Sequence, residues 1–415
     1  MKNKVKKEFK KYNPIGIEEI RAVNKVLKTG VLSGFVATKG EDFLGGKKVK
    51  EFESKCCKYF KVKYAISVNS WSSGLTIAMG AIGLEPGDEV IVSPWTMCAS
   101  ASSIIHWNAI PVFADIEKNT FCIDPNSVEH LITKKTKAIL SVDIFGQSAA
   151  QMKLKKIAKK YKLKLISDTA QSPGSLYNKK FSGTLSDIGG FSLNHHKHIH
   201  TGEGGVLFTN NKKLAHKMQL LRNHAEAVMD TNDPKELNNM VGHNYRMGEI
   251  EAAIGIEQIK KLKKIIVKRQ KLAKLLSKGI KNLLGLKIPV IRKQSTHVYY
   301  VYPLIISFQK LGIKRKNLLE KLKNEGVQGL MSGYQNLHLL PMYQNKIAYG
   351  TKGFPWTVSK NKISYKKGIC PVAENLNDFS FVGLQMCLFD YTEKDINFII
   401  KAFKKVWIKI INPKN

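Results

Sequence analysis

Short β-rich runs alternate with helical stretches between residues 64 and 209, and no other feature of the 415-residue chain restricts its fold as strongly. The runs predict seven strands, at residues 64–68, 89–92, 111–114, 138–144, 163–167, 188–193 and 205–209. Helical patterns between them lie at 74–84, 127–132 and 152–161. This alternation favours an α/β fold with a largely parallel sheet that is covered by helices on both faces. Ligands bind beyond the carboxyl ends of the strands in such sheets, so we look for chemistry just after each run.

The second half of the chain has a different pattern. The elements predicted there are a helix at 249–275, a strand at 297–306, and helices at 314–325 and 393–411. We therefore predict a large domain over residues 1–265, which includes an N-terminal arm, and a smaller α+β domain over 266–415. We expect the first 40 residues to pack on the small domain or on a partner subunit.

The charge of the chain is strongly positive, at +36, but only six of its 68 basic residues are arginine. Proteins that read nucleic acids favour arginine, because its planar fork makes paired contacts with bases and phosphates. Lysine scattered over most helices instead indicates a compositional bias and solvated helix faces. A basic surface for anionic substrates or a membrane surface stays possible. We do not expect nucleic-acid binding.

The chain shows no apolar run long enough to span a bilayer, and no apolar segment follows its basic N-terminus. The six cysteines form no CxxC pair, as is typical of reduced and mostly buried thiols. We therefore expect a cytoplasmic protein without a membrane span.

Two polar segments follow predicted strands. In the first, Ser72 and Ser73 stand at the start of the helix at 74–84, where hydroxyls and free N–H groups hold a phosphate or simply cap the helix. In the second, Asp168 comes just after an apolar strand. A buried carboxylate there needs a cationic or hydrogen-bonding partner, and a protonated pyridine nitrogen would be one. An ordinary cap of the next turn is the alternative.

The segment at 191–205 has several interpretations. Its four histidines, at positions 195, 196, 198 and 200, could bind a metal, but no cysteine or carboxylate stands at structural-zinc spacing, so we expect no metal. Its glycine-rich segment at 202–205 is too short and lacks the pattern of a P-loop or a dinucleotide-binding loop. Lys197 could be a Schiff-base lysine, since desolvation would make its amine nucleophilic, or one more solvated lysine. Farther along, Asn244 and Arg246 could reach an anion or only cap the following helix.

Taken in order, these segments resemble the sugar aminotransferase family often labelled DegT/DnrJ/EryC1/StrS, within the fold type I class of pyridoxal phosphate enzymes. The resemblance runs from about residue 13 to past residue 371. It includes EPGDEV at 85–90, IPVFAD at 110–115, TKAI at 136–139, DTAQ at 168–171, the lysine segment and GGV at 204–206. The resemblance implies a three-layer αβα large domain with a mostly parallel seven-stranded sheet, and a smaller C-terminal domain.

The resemblance also implies residue roles. Lys197 would bind pyridoxal 5'-phosphate covalently, and Asp168 would pair with its pyridine nitrogen. Gln171 would lie beside the ring. Ser72, Ser73 and Ser192 would contact the phosphate. Asn244 would reach the phosphate of the neighbouring subunit, which implies a homodimer with shared active sites.

Two positions depart from the family pattern. Trp71 stands where the family commonly has glycine, and Met97 stands where an aromatic residue often stacks on the cofactor ring. A thioether can also pack on a ring face.

The implied reaction is a transamination in two halves. An amino donor, L-glutamate or in some relatives glutamine, would convert the cofactor to pyridoxamine 5'-phosphate. A keto group would then take the nitrogen, on a nucleotide-linked sugar made for a surface polysaccharide or glycan. The alternatives are a carbocyclic ketone of an aminocyclitol pathway, a pyridoxamine-dependent sugar dehydratase, and a regulatory protein that retains the cofactor fold. Relatives that became dehydratases replace the lysine with histidine, and this chain keeps it.

Overall fold

The computed structural model describes residues 7–359 and 361–412. All seven predicted runs form strands of one sheet. In chain order the strands of this part are β1 (Tyr64–Val68), β2 (Glu89–Val92), β3 (Ile110–Phe113), β4 (Thr136–Val142), β5 (Lys164–Asp168), the short β6 (Leu176–Tyr177) and β7 (Lys180–Phe181), β8 (Ile188–Ser192) and β9 (Gly205–Thr209). The sheet order is β1-β9-β8-β5-β4-β2-β3, while β6 and β7 form a separate hairpin. Strand β9 is antiparallel to both of its neighbours, and the remaining pairs are parallel. The predicted α/β fold class is confirmed.

Fourteen α-helices are described. They are α1 (Ile17–Thr29), α2 (Lys47–Phe60), α3 (Trp71–Ala81), α4 (Ala99–Ile105), α5 (Pro125–His130), α6 (Gln151–Lys160), α7 (Lys212–Arg222), α8 (Pro234–Leu237), α9 (Glu249–Ile280), α10 (Phe308–Leu311), α11 (Arg315–Asn324), α12 (Pro341–Gln344), α13 (Pro371–Asn375) and α14 (Glu393–Ile411). Helix α3 begins three residues before its predicted start. Its cap is Ser70, whose hydroxyl accepts the Ser73 N–H at 3.0 Å.

A second, antiparallel sheet follows α9. Its strands are β10 (Leu286–Lys287), β11 (Val301–Ile306), β12 (Leu330–Met331) and β13 (Phe381–Gln385), in the order β10-β11-β13-β12. A separate hydrophobic core joins this sheet to α11 and α14. Helix α9 is continuous over 32 residues and contains the predicted boundary between residues 265 and 266.

Two predicted strands extend two or more residues past one end of the observed strand. The predicted strand 138–144 ends at Val142, because Phe145 takes a left-handed backbone with φ of 59° that no strand accommodates. The predicted strand 297–306 begins only at Val301. Before it, Tyr299 also has positive φ, at 53°, and the Val298 N–H donates to the Gly146 carbonyl at 2.7 Å. Both turns bring this connecting segment to the carboxyl end of β4.

The described start of the N-terminal arm packs beside the second sheet, whereas the prediction covered all of the first 40 residues. Lys11 forms an antiparallel bridge with Phe389, and Phe9 is buried in the core of that sheet. Helix α1 then runs along α9. Over residues 7–359 and 361–412, no helix combines the length and the apolar character that crossing a bilayer requires.

Candidate active site

Lys197 lies in a closed loop between β8 and β9. The loop is fixed at its base by hydrogen bonds between Leu193 and Gly204, at 2.8 Å, and between Thr201 and Leu193, at 3.0 Å. Inside the loop the Lys197 N–H donates to the Asn194 carbonyl at 2.9 Å. The Lys197 side chain is buried, and its loop follows the carboxyl end of β8.

The environment of Lys197 favours its neutral amine. Burial lowers its pKa to about 8, against a partial opposing effect of the Asp168 carboxylate. Its Nζ lies 4.6 Å from the ring centroid of Tyr300, a contact that stabilises the ammonium form and offsets part of the effect of burial. At pH 7 about a tenth of this amine is therefore neutral and free to attack a carbonyl carbon, far more than for an ordinary lysine.

Asp168 ends β5 and is held by three donors. Its Oδ1 accepts the Trp71 indole N–H at 2.7 Å and the Ala170 backbone N–H at 3.1 Å. Its Oδ2 accepts the Ser100 hydroxyl at 2.8 Å. An ionised carboxylate has about four acceptor positions, so one position on Oδ2 is left for a further donor.

The start of α3 has backbone N–H groups that no helical carbonyl accepts. Trp71 and Ser72 precede the first hydrogen bond inside the helix, so their backbone N–H groups are available to a phosphate, and the helix dipole favours negative charge there. Ser72 is exposed. Ser73 is buried, and its hydroxyl donates to the Asn69 side chain at 2.7 Å. Of the two predicted serines, Ser72 is thus the one whose side chain faces open space.

Two more predicted residues line this region. Ser192 ends β8, one of the strands that carries the site, and its hydroxyl accepts the Asn194 N–H at 3.2 Å. Gln171 is fixed on both sides: its Oε1 accepts the Phe145 N–H at 2.8 Å and its Nε2 donates to the Tyr334 hydroxyl at 3.1 Å. The side chain of Gln171 is therefore held rigidly near Asp168.

Met97 and Asn244 lie on the open side. Met97 is 52% exposed, and its sulfur accepts the Ala99 N–H at 3.1 Å. The Asn244 carbonyl accepts the Asn69 side-chain amide at 3.3 Å, which places Asn244 beside the start of α3 in its own subunit. Its side-chain oxygen accepts the Arg246 Nε–H at 2.8 Å, and the residue is exposed.

The histidines around Lys197 separate into exposed and structural ones. His195 and His196 are exposed, whereas His198 is buried with its Nε2 2.9 Å from the Val298 carbonyl. Burial holds the pKa of His198 well below its ordinary value, so its ring is neutral. Among the described residues, no three histidine, cysteine or carboxylate side chains are grouped as metal ligands.

These groups fit pyridoxal phosphate by the chemistry of their donors. A buried amine with a lowered pKa suits the aldehyde, and a carboxylate with one free acceptor position suits a protonated ring nitrogen. Free N–H groups at a helix start suit the phosphate. A model of the DegT/DnrJ/EryC1/StrS aminotransferase family matches residues 18–377 of the chain.

The chain belongs to this family. Its members are sugar aminotransferases that depend on pyridoxal phosphate, and this chain is one of them by family. The spore coat polysaccharide biosynthesis protein SpsC of Bacillus subtilis is 32% identical over 85% of this chain and 88% of its own length. The GDP-perosamine synthase of Caulobacter vibrioides is 35% identical over 72% of this chain and 79% of its own. The crystal structure of an aminotransferase from Psychrobacter cryohalolentis has a TM-score of 0.82 and 27% identity, covering 98% of this chain and 100% of that one.

Three residues of the site described above were not predicted from the sequence. Ser100, on α4, donates to Asp168, Tyr300 lies beside Lys197, and Tyr334 anchors Gln171. The two tyrosines come from segments next to the second sheet, and Tyr334 is 163 positions from its partner. No local pattern marks such contacts. The departure at Trp71 was visible in the sequence, but its contact with Asp168 was not.

Proposed function

We propose that the enzyme transfers an amino group from L-glutamate to a keto group of a nucleotide-linked sugar, for a surface polysaccharide or glycan. The observation that carries the proposal is the buried Lys197 amine, with its pKa lowered to about 8, at the same sheet edge as Asp168. The names of the relatives from Bacillus subtilis and Caulobacter vibrioides, a polysaccharide biosynthesis protein and a GDP-perosamine synthase, support a sugar acceptor. The six free thiols suit a reducing compartment, so we place the enzyme in the cytoplasm.

The chain's own residues divide the work. Bound pyridoxal 5'-phosphate would supply the electron sink for the reaction, and pyridoxamine 5'-phosphate would carry the nitrogen between its halves. Lys197 holds the cofactor and, once released, moves a proton to or from the substrate carbon, for which an amine with a pKa near neutrality is suited. Asp168 holds the proton of the ring nitrogen. Ser72, Ser192 and the start of α3 bind the phosphate.

The same proposal includes a homodimer with shared sites. Apolar side chains are exposed on α1 and in the following segment, among them Ile20, Val31 and Leu32, each close to half exposed. Val241, three residues before Asn244, is 67% exposed. A second copy would cover such side chains, and the exposed Asn244 side chain would then reach the partner's phosphate site. Met97 would face the cofactor ring.

The lysine assignment is tested by two matched variants. Lys197→Ala should abolish the visible absorbance that the purified enzyme shows with pyridoxal phosphate, because no other amine of the site can bind it covalently. Lys153→Ala removes an exposed lysine on α6 and should leave that absorbance unchanged. Borohydride reduction followed by peptide mass spectrometry should find the cofactor on the peptide that contains residue 197. Visible absorbance that persists in Lys197→Ala would refute the assignment.

The acceptor is tested with ¹⁵N-labelled amino donors and a panel of ketones. Transfer of ¹⁵N from glutamate to nucleotide-linked keto sugars, seen by mass spectrometry, supports the proposal. Transfer only to a carbocyclic ketone would point instead to an aminocyclitol pathway. Loss of water from the sugar without nitrogen transfer would indicate a dehydratase, which the retained Lys197 disfavours.

A further inference from the structure

Trp71 is the departure from the family pattern that touches the site most directly. It is the first residue of α3, and its indole is only 6% exposed. The indole ring crosses β8 at Gly190 and its N–H ends at the Asp168 carboxylate, 2.7 Å from Oδ1. The indole thereby connects the start of α3 to the Asp168 carboxylate at the end of β5.

The sheet is shaped to receive this indole. A Cβ atom on Gly190 would lie 2.5 Å from the ring atom Cζ3 of Trp71, and it would also lie 2.0 Å from the Val206 carbonyl oxygen of β9. A Cβ atom on Gly205 would lie 2.9 Å from the Trp71 Cα atom. Real Cβ atoms do not come so close to other atoms, so Gly190 leaves the space in which the indole lies, and Gly205 lets β9 approach the backbone of Trp71. The indole is therefore packed against β8, and the backbone at the start of α3 is packed against β9.

The hydrogen bonds at Asp168 show what the indole does. Trp71 and Ala170 occupy both acceptor positions of Oδ1, and Ser100 occupies one of the two on Oδ2. An indole N–H only donates, so Oδ1 acts solely as an acceptor in this contact. The remaining position on Oδ2 is the one where a ring N–H would bind.

We propose that Trp71 is a positioning residue that saturates Asp168 Oδ1, so that the carboxylate presents the free acceptor position of Oδ2 to the cofactor's ring nitrogen. This inference rests on the proposed function. Through Asp168, Trp71 also sets the charge at the ring nitrogen and hence the pH at which the lysine-bound cofactor gains its proton. Without the indole donor, Asp168 carries more unshared negative charge and holds that proton to higher pH.

The test uses Trp71→Phe, which keeps an aromatic ring but removes the N–H donor together with part of the indole. Trp107→Phe is the matched control: its indole N–H donates to the Thr76 carbonyl at the same 2.7 Å, but away from Asp168. The measurement is the pH midpoint of the visible absorbance of the enzyme loaded with pyridoxal phosphate. We expect the midpoint to rise by about half to one pH unit in Trp71→Phe and to stay unchanged in Trp107→Phe. A merely structural role for Trp71 would not move this midpoint, and a midpoint in Trp71→Phe within about 0.2 units of wild type would overturn the proposal.

A second measurement needs no change at Trp71. In the ¹⁵N spectrum of the five indoles, one N–H resonance should exchange slowly with solvent and move most when Asp168→Asn is introduced. If no slowly exchanging indole responds to Asp168→Asn, the proposal is wrong even where Trp71→Phe fails to fold. A wild-type enzyme that does not bind pyridoxal phosphate through Lys197 would instead overturn the proposed function.

Discussion

Replacing Lys197 with methionine should stabilise the cofactor-free protein at neutral pH. Burial lowers the pKa of Lys197 from its ordinary 10.5 to about 8. At 1.36 kcal/mol per pH unit, this difference corresponds to ~3 kcal/mol of destabilisation by the charged amine. The cation–π contact with Tyr300, at 4.6 Å, offsets part of it, so we expect a net gain of roughly 2 kcal/mol for Lys197→Met below pH 8.

The gain should depend on pH in a defined direction. Because the folded pKa is lower than the unfolded one, the unfolded chain binds the extra proton between pH 8 and 10.5, so wild-type stability rises over that window. The advantage of Lys197→Met should therefore be complete below pH 8, shrink as the pH rises, and vanish near pH 10.5. Urea denaturation of both proteins at pH 7 and pH 10 measures it.

A control and a second assay separate this effect from others. Lys153→Met, on the exposed face of α6, should show no such gain at either pH. The rate at which cofactor-free protein captures pyridoxal phosphate should rise with pH to a midpoint near 8, since at pH 7 about a tenth of the Lys197 amine is neutral. A capture midpoint near 10.5, or an equal gain for Lys197→Met at both pH values, would refute the reasoning.

Three further outcomes are expected. Arg222→Met should lower the free energy of unfolding by roughly 3–5 kcal/mol in urea denaturation, because it leaves Glu53 without the cationic partner of a buried ion pair. Lys160→Met removes an exposed ion pair and should lower the free energy of unfolding by less than about 1 kcal/mol. Equal losses in the two variants would contradict this expectation. Burial raises the pKa of Asp143 to about 7, so ionising this carboxyl destabilises the fold increasingly as the pH rises to 7 and fully above it. Asp143→Asn should therefore be more stable than wild type by up to ~4 kcal/mol at pH 8, and this gain should disappear towards pH 4. Tyr300→Leu should lower the midpoint for cofactor capture by up to about one pH unit, and an unchanged midpoint would show that the ring does not stabilise the ammonium.

The sequence determined the large sheet and the order of its strands along the chain. Strands β1, β2 and β9 have the predicted bounds, because apolar runs bounded by turns are a local signal. It also placed Lys197, Asp168 and Ser192 at the correct strand ends, since the carboxyl edge of a parallel sheet follows from strand direction alone. Strands β10, β12 and β13 of the second sheet escaped prediction; β10 and β12 have only two residues each, too few to carry a periodicity.

Only the tertiary structure decided how the site is held. Trp71 and Asp168 are 97 positions apart, and Gln171 and Tyr334 are 163 apart, so no local spacing predicts either hydrogen bond. Tyr300 reaches Lys197 because a left-handed turn at Tyr299 brings the connecting segment to the carboxyl end of β4. The sequence therefore identified the chemical groups, whereas their burial, their donors and the lowered pKa of Lys197 arise from packing between distant segments.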